Sequence, residues 1–169
     1  LNKNADGIDI DFELLPLSQR DNLVLFMEEL SEAFHNLMED PIITMATPAV
    51  DWSNAWDYQA LANICDELFI MGYNYFYSGS TTAVPVAPLG EYFYDLEFTV
   101  NDYLTKTNNQ SDKLILGLPY YGYEWPTADH TIHSETTDYG SSITYTTAND
   151  ISETHGYNYD SNSNAPWTP

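Results

Sequence analysis

Three carboxylic acids alternate with apolar residues near the start of the chain, in the segment Asp6-Gly7-Ile8-Asp9-Ile10-Asp11-Phe12-Glu13. Successive side chains of a β-strand point to opposite faces, so this spacing places Asp9, Asp11 and Glu13 on one face. Carboxylates that share a face repel one another when all are ionised, and the row is therefore expected to share a proton. Such a row suits general acid–base catalysis. Glu13, nearest the carboxyl end of the strand, is the natural general acid in a parallel β/α barrel.

Two other interpretations of the acidic row stay open. The acids could mark a strand whose second face is wet, although the apolar residues opposite them favour a strand covered by helices. A calcium loop is the second alternative. The EF-hand order needs its glycine after the third acidic position, whereas Gly7 precedes the second aspartate of this segment.

Four short apolar runs, each followed by proline, glycine or a polar turn, predict buried strands. They are Ile8–Phe12, Ile42–Ala46, Leu68–Met71 and Leu114–Leu118. Between the first two, apolar residues recur every three or four positions and predict an amphipathic helix over Ser18–Met38, with Ser18 and Asp21 as a capping box. Further helices are predicted over about Ser53–Ile64 and about Leu89–Leu104.

This order of strands and helices predicts an α/β fold with parallel strands and helical crossovers. Four β/α units correspond to about half of a (β/α)8 TIM barrel, and four strands cannot close a barrel. After Gly122 the sequence becomes rich in Thr, Ser, Tyr and Asp, and the alternation over Ile143–Thr146 predicts a strand. We therefore predict a partial TIM-barrel catalytic domain over residues 1–122 and part of a small α+β insertion over residues 123–169.

The charge of the chain restricts its partners. It carries 26 Asp and Glu against 4 Lys and Arg, for a formal net charge of −22. The negative electrostatic potential of such a chain repels phosphates and anionic lipids, so we expect no nucleic-acid and no membrane partner. The single cysteine, Cys65, excludes an internal disulfide framework and a cysteine-based zinc site.

Three segments carry a family resemblance when they are taken in order. The segment Asp6–Glu13 resembles the strand-4 signature of glycoside hydrolase family 18, the chitinases and their relatives. Met71-Gly72-Tyr73-Asn74 is similar to the strand-6 motif of that family. Leu116-Gly117-Leu118-Pro119-Tyr120-Tyr121-Gly122-Tyr123-Glu124-Trp125 is similar to its strand-7 segment, after which many members carry an α+β insertion.

The resemblance implies a substrate-assisted retaining mechanism without a cofactor or metal. Glu13 would protonate the glycosidic oxygen while the acetamido group of the substrate attacks the anomeric carbon. Asp11 would orient that acetamido group and offset the developing positive charge, and Asp9 would exchange a proton with Asp11. Asp6 and Gly7 are expected to give structural support.

The other two motifs imply a substrate pocket. Tyr73 would donate to the acetamido oxygen, and Met71 would form a wall. Asn74 departs from the aspartate of most relatives and cannot carry its charge. Tyr121 and Tyr123 are expected to bind substrate, although many relatives have arginine at the second of these positions.

Other aromatic and histidine residues are weaker candidates. Trp52, Trp56 and Trp125 could stack on sugar rings or could simply pack. His130 and His133 have an H-x-x-H spacing, which we interpret as exposed histidines rather than metal ligands.

The predicted function is hydrolysis of β-1,4-linked N-acetylglucosamine polymers or oligomers. The alternatives are an endo-β-N-acetylglucosaminidase that acts on N-glycans and a non-catalytic sugar-binding relative. The expected partner is carbohydrate, the expected parent enzyme is a secreted monomer, and the 169-residue chain alone is expected to be inactive and poorly stable.

Overall fold

The computed structural model describes residues 5–169, which form two compact units. The first takes the chain up to Met71 together with Val100–Gly117, and the second takes Gly72–Thr99 and Leu118–Pro169. These units are defined by the contacts between residues and not by function. The predicted boundary at residue 122, between a catalytic domain and an insertion, therefore stays a prediction. No helix among residues 5–169 is long and apolar enough to cross a membrane.

A parallel sheet of four strands organises the first unit. Its strands lie side by side in chain order: β1 (Gly7–Ile10), β2 (Ile42–Pro48), β3 (Glu67–Met71) and β4 (Leu114–Gly117). The helices α1 (Arg20–Leu37), α2 (Tyr58–Ile64) and α3 (Leu96–Lys106) follow the first three strands along the chain. The predicted α/β fold with a parallel sheet is confirmed.

The core of the first unit lies between this sheet and its helices. Ile43 and Met45 alternate along β2 and are fully buried, as are Leu68 of β3 and Met27 of α1. Tyr103 of α3 is also enclosed, and its hydroxyl donates to the carbonyl oxygen of Pro48 at 2.7 Å. Apolar residues at strand and helix spacing therefore meet on one side of the sheet.

Cys65 follows α2 and is buried in the same core. Burial raises the pKa of its thiol to about 11, and the nearby Asp66 carboxylate adds to the effect. Lys113 donates to the Cys65 carbonyl oxygen at 2.8 Å. The thiol is thus held in its protonated form.

The predicted capping box at the start of the first helix is wrong. A 3-10 turn over Leu17–Gln19 precedes α1, so that Ser18 lies in the turn and Gln19 is the N-cap, without a capping hydrogen bond from its side chain. The backbone N–H of Gln19 already donates to the Pro16 carbonyl oxygen at 2.9 Å. Because the 3-10 turn precedes α1, Ser18 lies inside that turn and does not face the free N–H groups at the start of the α-helix.

The second and third helices begin later than predicted because aspartates fix their starts. Asp51 accepts from the N–H groups of Ala55 and Trp56, and Asp57 then caps α2 by accepting from the Ala60 N–H. The helix therefore begins at Tyr58 rather than near Ser53. Likewise, Asp95 accepts from the Phe98 N–H at 2.7 Å, and α3 begins at Leu96 rather than near Leu89.

The second unit contains two antiparallel strand pairs and a helix. β5 (Tyr121–Glu124) pairs with β6 (Ser141–Thr144), and β7 (Asn158–Asp160) pairs with β8 (Ala165–Trp167). The strand predicted over Ile143–Thr146 ends early, because the Thr144 hydroxyl accepts from the Thr147 N–H and caps α4 (Tyr145–His155). Local capping at Thr144 thus outweighs the alternating pattern.

Candidate active site

The alternation predicted for the acidic row is present in β1. Ile8 and Ile10 pack against the core, whereas the side chain of Asp9 is exposed. Thr44, the register partner of Asp9 on β2, donates its hydroxyl to the Asp9 carboxylate at 2.6 Å. The inter-strand pair therefore fixes the Asp9 carboxylate on the face away from the core.

β1 ends at Ile10, two residues before the predicted end, and the remaining acids follow it. The Phe12 ring lies 5.4 Å from the Phe26 ring of α1, on the helix-covered side. Asp11 and Glu13 are exposed, and Leu14 turns the chain with a φ of 55°. The carboxyl group of Glu13 is thus accessible to a ligand, at a point where a leucine adopts a conformation that such residues rarely take.

Asp6 and Gly7 join the first two strands through their backbones. The Asp6 carbonyl oxygen accepts from the Ile42 N–H at 3.0 Å. A Cβ at Gly7 would overlap the Ile42 carbonyl group. Glycine is therefore required for this close approach, which sets the position of the acidic row.

A second group of predicted site residues converges within the second unit. The hydroxyls of Tyr121 and Tyr123 both donate to the side-chain oxygen of Asn74, at 2.8 Å and 3.2 Å. Asn74 adopts a φ of 58°, a left-handed conformation that asparagine tolerates better than most residues. One amide oxygen therefore aligns two tyrosines that lie 47 and 49 positions further along the chain.

The rings around Asn74 form an aromatic group. Tyr121 and Tyr123 lie on one face of β5 because Gly122 separates them. The Tyr121 ring is 6.1 Å from Tyr73 and 6.0 Å from Tyr123, with an edge-to-face arrangement in both cases. Partial burial, reinforced by the neighbouring tyrosines, raises the pKa of Tyr121 to about 12, so its hydroxyl stays protonated and can donate.

The remaining predicted positions differ in their surroundings. Met71 is the last residue of β3, is half-buried and is the register partner of Gly117 on β4. Trp56 is only 4% exposed in the core, so the packing alternative holds and it cannot stack on a sugar. Trp125 is half-buried and donates from its indole nitrogen to the Ser78 carbonyl oxygen at 3.1 Å.

Trp52 and the two histidines are exposed. The Nε2 atom of His133 lies 3.1 Å from the Tyr92 hydroxyl and 3.4 Å from an Asp160 carboxylate oxygen. Within residues 5–169, no group of three or more acidic, cysteine or histidine side chains is arranged to hold a metal ion.

Thr44, whose hydroxyl donates to the Asp9 carboxylate, is not among the site residues predicted from the sequence. A usable signal was present, since pairing of β1 with β2 places the two residues side by side.

The family model for Glycosyl hydrolases family 18 matches residues 2–168. The chain belongs to this family. Its family 18 relatives include Probable chitinase 2 of Drosophila melanogaster, which is 32% identical over 139 residues, covering 73% of this chain and 27% of that protein. Human di-N-acetylchitobiase is 29% identical over 131 residues, covering 71% of this chain and 32% of that protein.

Solved structures agree on the family 18 fold. The crystal structure of the immunomodulatory active chitinase TsES1 from Trichuris suis has a TM-score of 0.85 and 22% identity, over 95% of this chain and 51% of that one. The chain therefore spans about half of that structure, and 27% and 32% of the two curated relatives. Its four parallel strands are accordingly part of a TIM barrel.

Proposed function

We propose that this family 18 chain takes part in the hydrolysis of β-1,4-linked N-acetylglucosamine polymers or oligomers. The observation that carries the proposal is the acidic row. Asp9 lies on the face of β1 that points away from the core, and the exposed Glu13 follows just beyond the carboxyl end of that strand. In a parallel β/α barrel, this end of the strands carries the reactive groups.

Glu13 is the general acid in this proposal. Its proton passes to the glycosidic oxygen as the bond from that oxygen to the anomeric carbon breaks. The acetamido oxygen of the same sugar forms a bond to the anomeric carbon and gives a cyclic, positively charged intermediate. Water then attacks that carbon and returns a proton to Glu13, so the acid is regenerated and the configuration is retained.

Asp11 and Asp9 assist from neighbouring positions. The Asp11 carboxylate accepts from the acetamido N–H, which orients the attacking oxygen and offsets the positive charge. Asp9 exchanges a proton with Asp11, and its bond from Thr44 holds it in place during that exchange.

The aromatic group around Asn74 is proposed to bind sugar. Tyr73 donates to the acetamido oxygen, Tyr121 and Tyr123 offer ring faces and edges, and Met71 contributes an apolar wall. Asn74 fixes the two tyrosine hydroxyls, as its hydrogen bonds support. We also infer a secreted parent enzyme, because a polymeric substrate lies outside the cell, and we propose that this enzyme acts as a monomer.

The test is an assay of the full-length protein against chito-oligosaccharides and a high-mannose glycopeptide. Glu13→Gln removes the transferable proton and is expected to lower turnover by roughly 10²–10⁴-fold. Glu32→Gln makes the same chemical change at an exposed position of α1 and should leave turnover unchanged. Proton NMR of the fresh product should show the β-anomer.

Other outcomes would redirect the assignment. Cleavage of the glycopeptide alone favours an endo-acting enzyme on N-glycans. Cleavage of neither substrate by the unmodified protein favours a non-catalytic sugar-binding protein and overturns the proposal.

A further inference from the structure

A hydroxyl on the neighbouring strand touches the acidic row. The Oγ1 atom of Thr44 lies 2.6 Å from Oδ1 of Asp9, and the two residues are register partners of β2 and β1. This distance is typical of a hydrogen bond from a hydroxyl to an ionised carboxylate. The Thr44 hydroxyl is therefore the donor, and the Asp9 carboxylate is the acceptor.

The strand fixes the direction of this hydroxyl. Ile43 and Met45, the neighbours of Thr44 in β2, are fully buried on the core side, so alternation turns Thr44 to the opposite face. β2 pairs with β1 on one side and with β3 on the other. The χ1 angle of a β-branched side chain in such a strand is already restricted, so little freedom is lost when its hydroxyl bonds to Asp9.

Two further carboxylates share the face on which this hydrogen bond lies. Asp11 follows Asp9 at the next position of the same face, and Glu67 of β3 is the register partner of Thr44. Both carry the same charge as Asp9 and disfavour its ionisation. The Thr44 hydroxyl therefore opposes the effect of its acidic neighbours.

Ionisable groups near the amino ends of the strands have other partners. The Asp66 carboxylate accepts from the Ile43 N–H at 2.7 Å, and the Lys113 ammonium donates to the Cys65 carbonyl oxygen at 2.8 Å. Burial, together with the nearby carboxylates, raises the pKa of the Cys65 thiol and keeps it neutral. The hydrogen bond to the Asp9 side chain thus comes from an uncharged donor, the Thr44 hydroxyl.

A hydroxyl that donates to a carboxylate stabilises its ionised form over its protonated form. Thr44 therefore acts on the proton that Asp9 and Asp11 exchange in the proposed mechanism. It favours the arrangement in which Asp9 carries the charge and the Asp11 carboxyl group carries the proton. That proton is then two positions from Glu13 instead of four, at the end of the row nearest the reacting sugar.

The exchange has to run in both directions during one turnover. When the acetamido N–H of the sugar needs an acceptor, the Asp11 proton crosses to Asp9, and Asp11 then carries the negative charge beside the cationic intermediate. The Thr44 hydroxyl makes protonated Asp9 the less stable state, so the proton returns to Asp11 after the intermediate is hydrolysed. The pair neither gains nor loses a proton over the cycle.

We propose that Thr44 is a positioning residue for this reaction, whose hydroxyl keeps the shared proton of the acidic row on Asp11 between turnovers. The inference rests on the proposed function. It adds a residue outside the acidic row that controls the charge within the row.

The test compares pH–rate profiles of the full-length protein and its variants on chito-oligosaccharides. On the acidic side, activity ends when Asp9 is protonated and the pair loses its remaining charge. Thr44→Val keeps the side-chain shape and removes the hydroxyl, so the acidic limb should move to higher pH by about one unit and kcat should fall about tenfold. The alkaline limb, on which Glu13 loses its proton, should not move.

Two variants separate proton placement from packing. Thr44→Ser keeps the hydroxyl and should restore the position of the acidic limb. Thr47→Val makes the same chemical change in the same strand, but on the core face, where the Thr47 hydroxyl donates to the Phe69 carbonyl oxygen at 3.2 Å. This control is expected to lower stability without moving the acidic limb.

A second readout does not need turnover. In carbon-13 NMR of protein labelled at its aspartate carboxyl carbons, the Asp9 resonance, assigned through Asp9→Asn, should respond to protonation at a higher pH in Thr44→Val than in the unmodified protein. Coincident acidic limbs or coincident Asp9 titrations of these two proteins overturn the proposal, as does a Thr44→Ser variant that behaves like Thr44→Val. If the unmodified protein cleaves no substrate, the proposed function fails, and the Asp9 titration alone decides the role of Thr44.

Discussion

Asn74 meets two requirements at once, and they can be separated by mutation. Its backbone has a φ of 58°, and its side-chain oxygen accepts from Tyr121 and Tyr123 at 2.8 Å and 3.2 Å. Asn74→Gly removes the shared acceptor but suits the left-handed backbone. Asn74→Ala removes the acceptor and also leaves a Cβ in that conformation.

The expected magnitudes follow from this geometry. A neutral hydrogen bond contributes about 1 kcal/mol net, but Asn74 is exposed and water replaces part of each lost bond. We therefore expect Asn74→Gly to lower the free energy of unfolding by about 1 kcal/mol. Asn74→Ala adds a backbone penalty of about 1 kcal/mol, for a loss of about 2 kcal/mol.

The assay is urea denaturation of the full-length protein and its variants, with the m-value as a check on the unfolding transition. Tyr121→Phe removes only the 2.8 Å hydrogen bond. The double variant Tyr121→Phe/Asn74→Gly should therefore lose less free energy of unfolding than the sum of the losses of the two single variants. Equal stability of the glycine and alanine variants would refute the backbone part of this reasoning. A glycine variant as stable as the unmodified protein would refute the hydrogen-bond part.

Two further predictions concern pH. Asn74→Asp places a carboxylate where two phenol hydroxyls donate, so the variant should stay active with a shifted pH–rate profile, and identical profiles would contradict the role assigned to Asn74. The hydrogen bond from the Ser163 hydroxyl, and to a smaller extent those from backbone N–H groups, hold the pKa of Asp160 below its ordinary value of 3.8. The ionised Asp160 carboxylate therefore stabilises the fold fully above pH 3.8, and this stabilisation is lost as the pH falls through the lowered folded-state pKa. In urea denaturation, Asp160→Asn should therefore be less stable than the unmodified protein at neutral pH by a margin that shrinks on acidification, and a constant margin would count against this linkage.

The sheet could be predicted because its signals are local. Apolar runs marked all four strands, and the alternation of Ile8, Asp9 and Ile10 correctly separated the core face from the acidic face. Helix starts were predicted less well, since periodicity shows which residues face the core but not where a carboxylate caps the backbone. Asp57 and Asp95 supply those caps and move two helix starts by several residues.

The candidate site could be predicted only in part. The members of the acidic row lie within five positions of one another, so strand geometry alone relates them. The group around Asn74 joins residues far apart in the chain, and its motif resemblance indicated their roles without indicating that one amide oxygen holds both tyrosines. Similarly, Trp56 and Trp52 look alike in the sequence, and only the packing of the chain places one in the core and leaves the other exposed.

The enclosure of Cys65 limits the redox chemistry of this part of the protein. A sulfhydryl that stays protonated and inaccessible is a poor nucleophile, reacts slowly with oxidants and does not reach a cysteine of another molecule. With no second cysteine among these 169 residues, this part of the fold has no internal disulfide to gain or lose. The packing around Cys65 should therefore be the same under oxidising and reducing conditions.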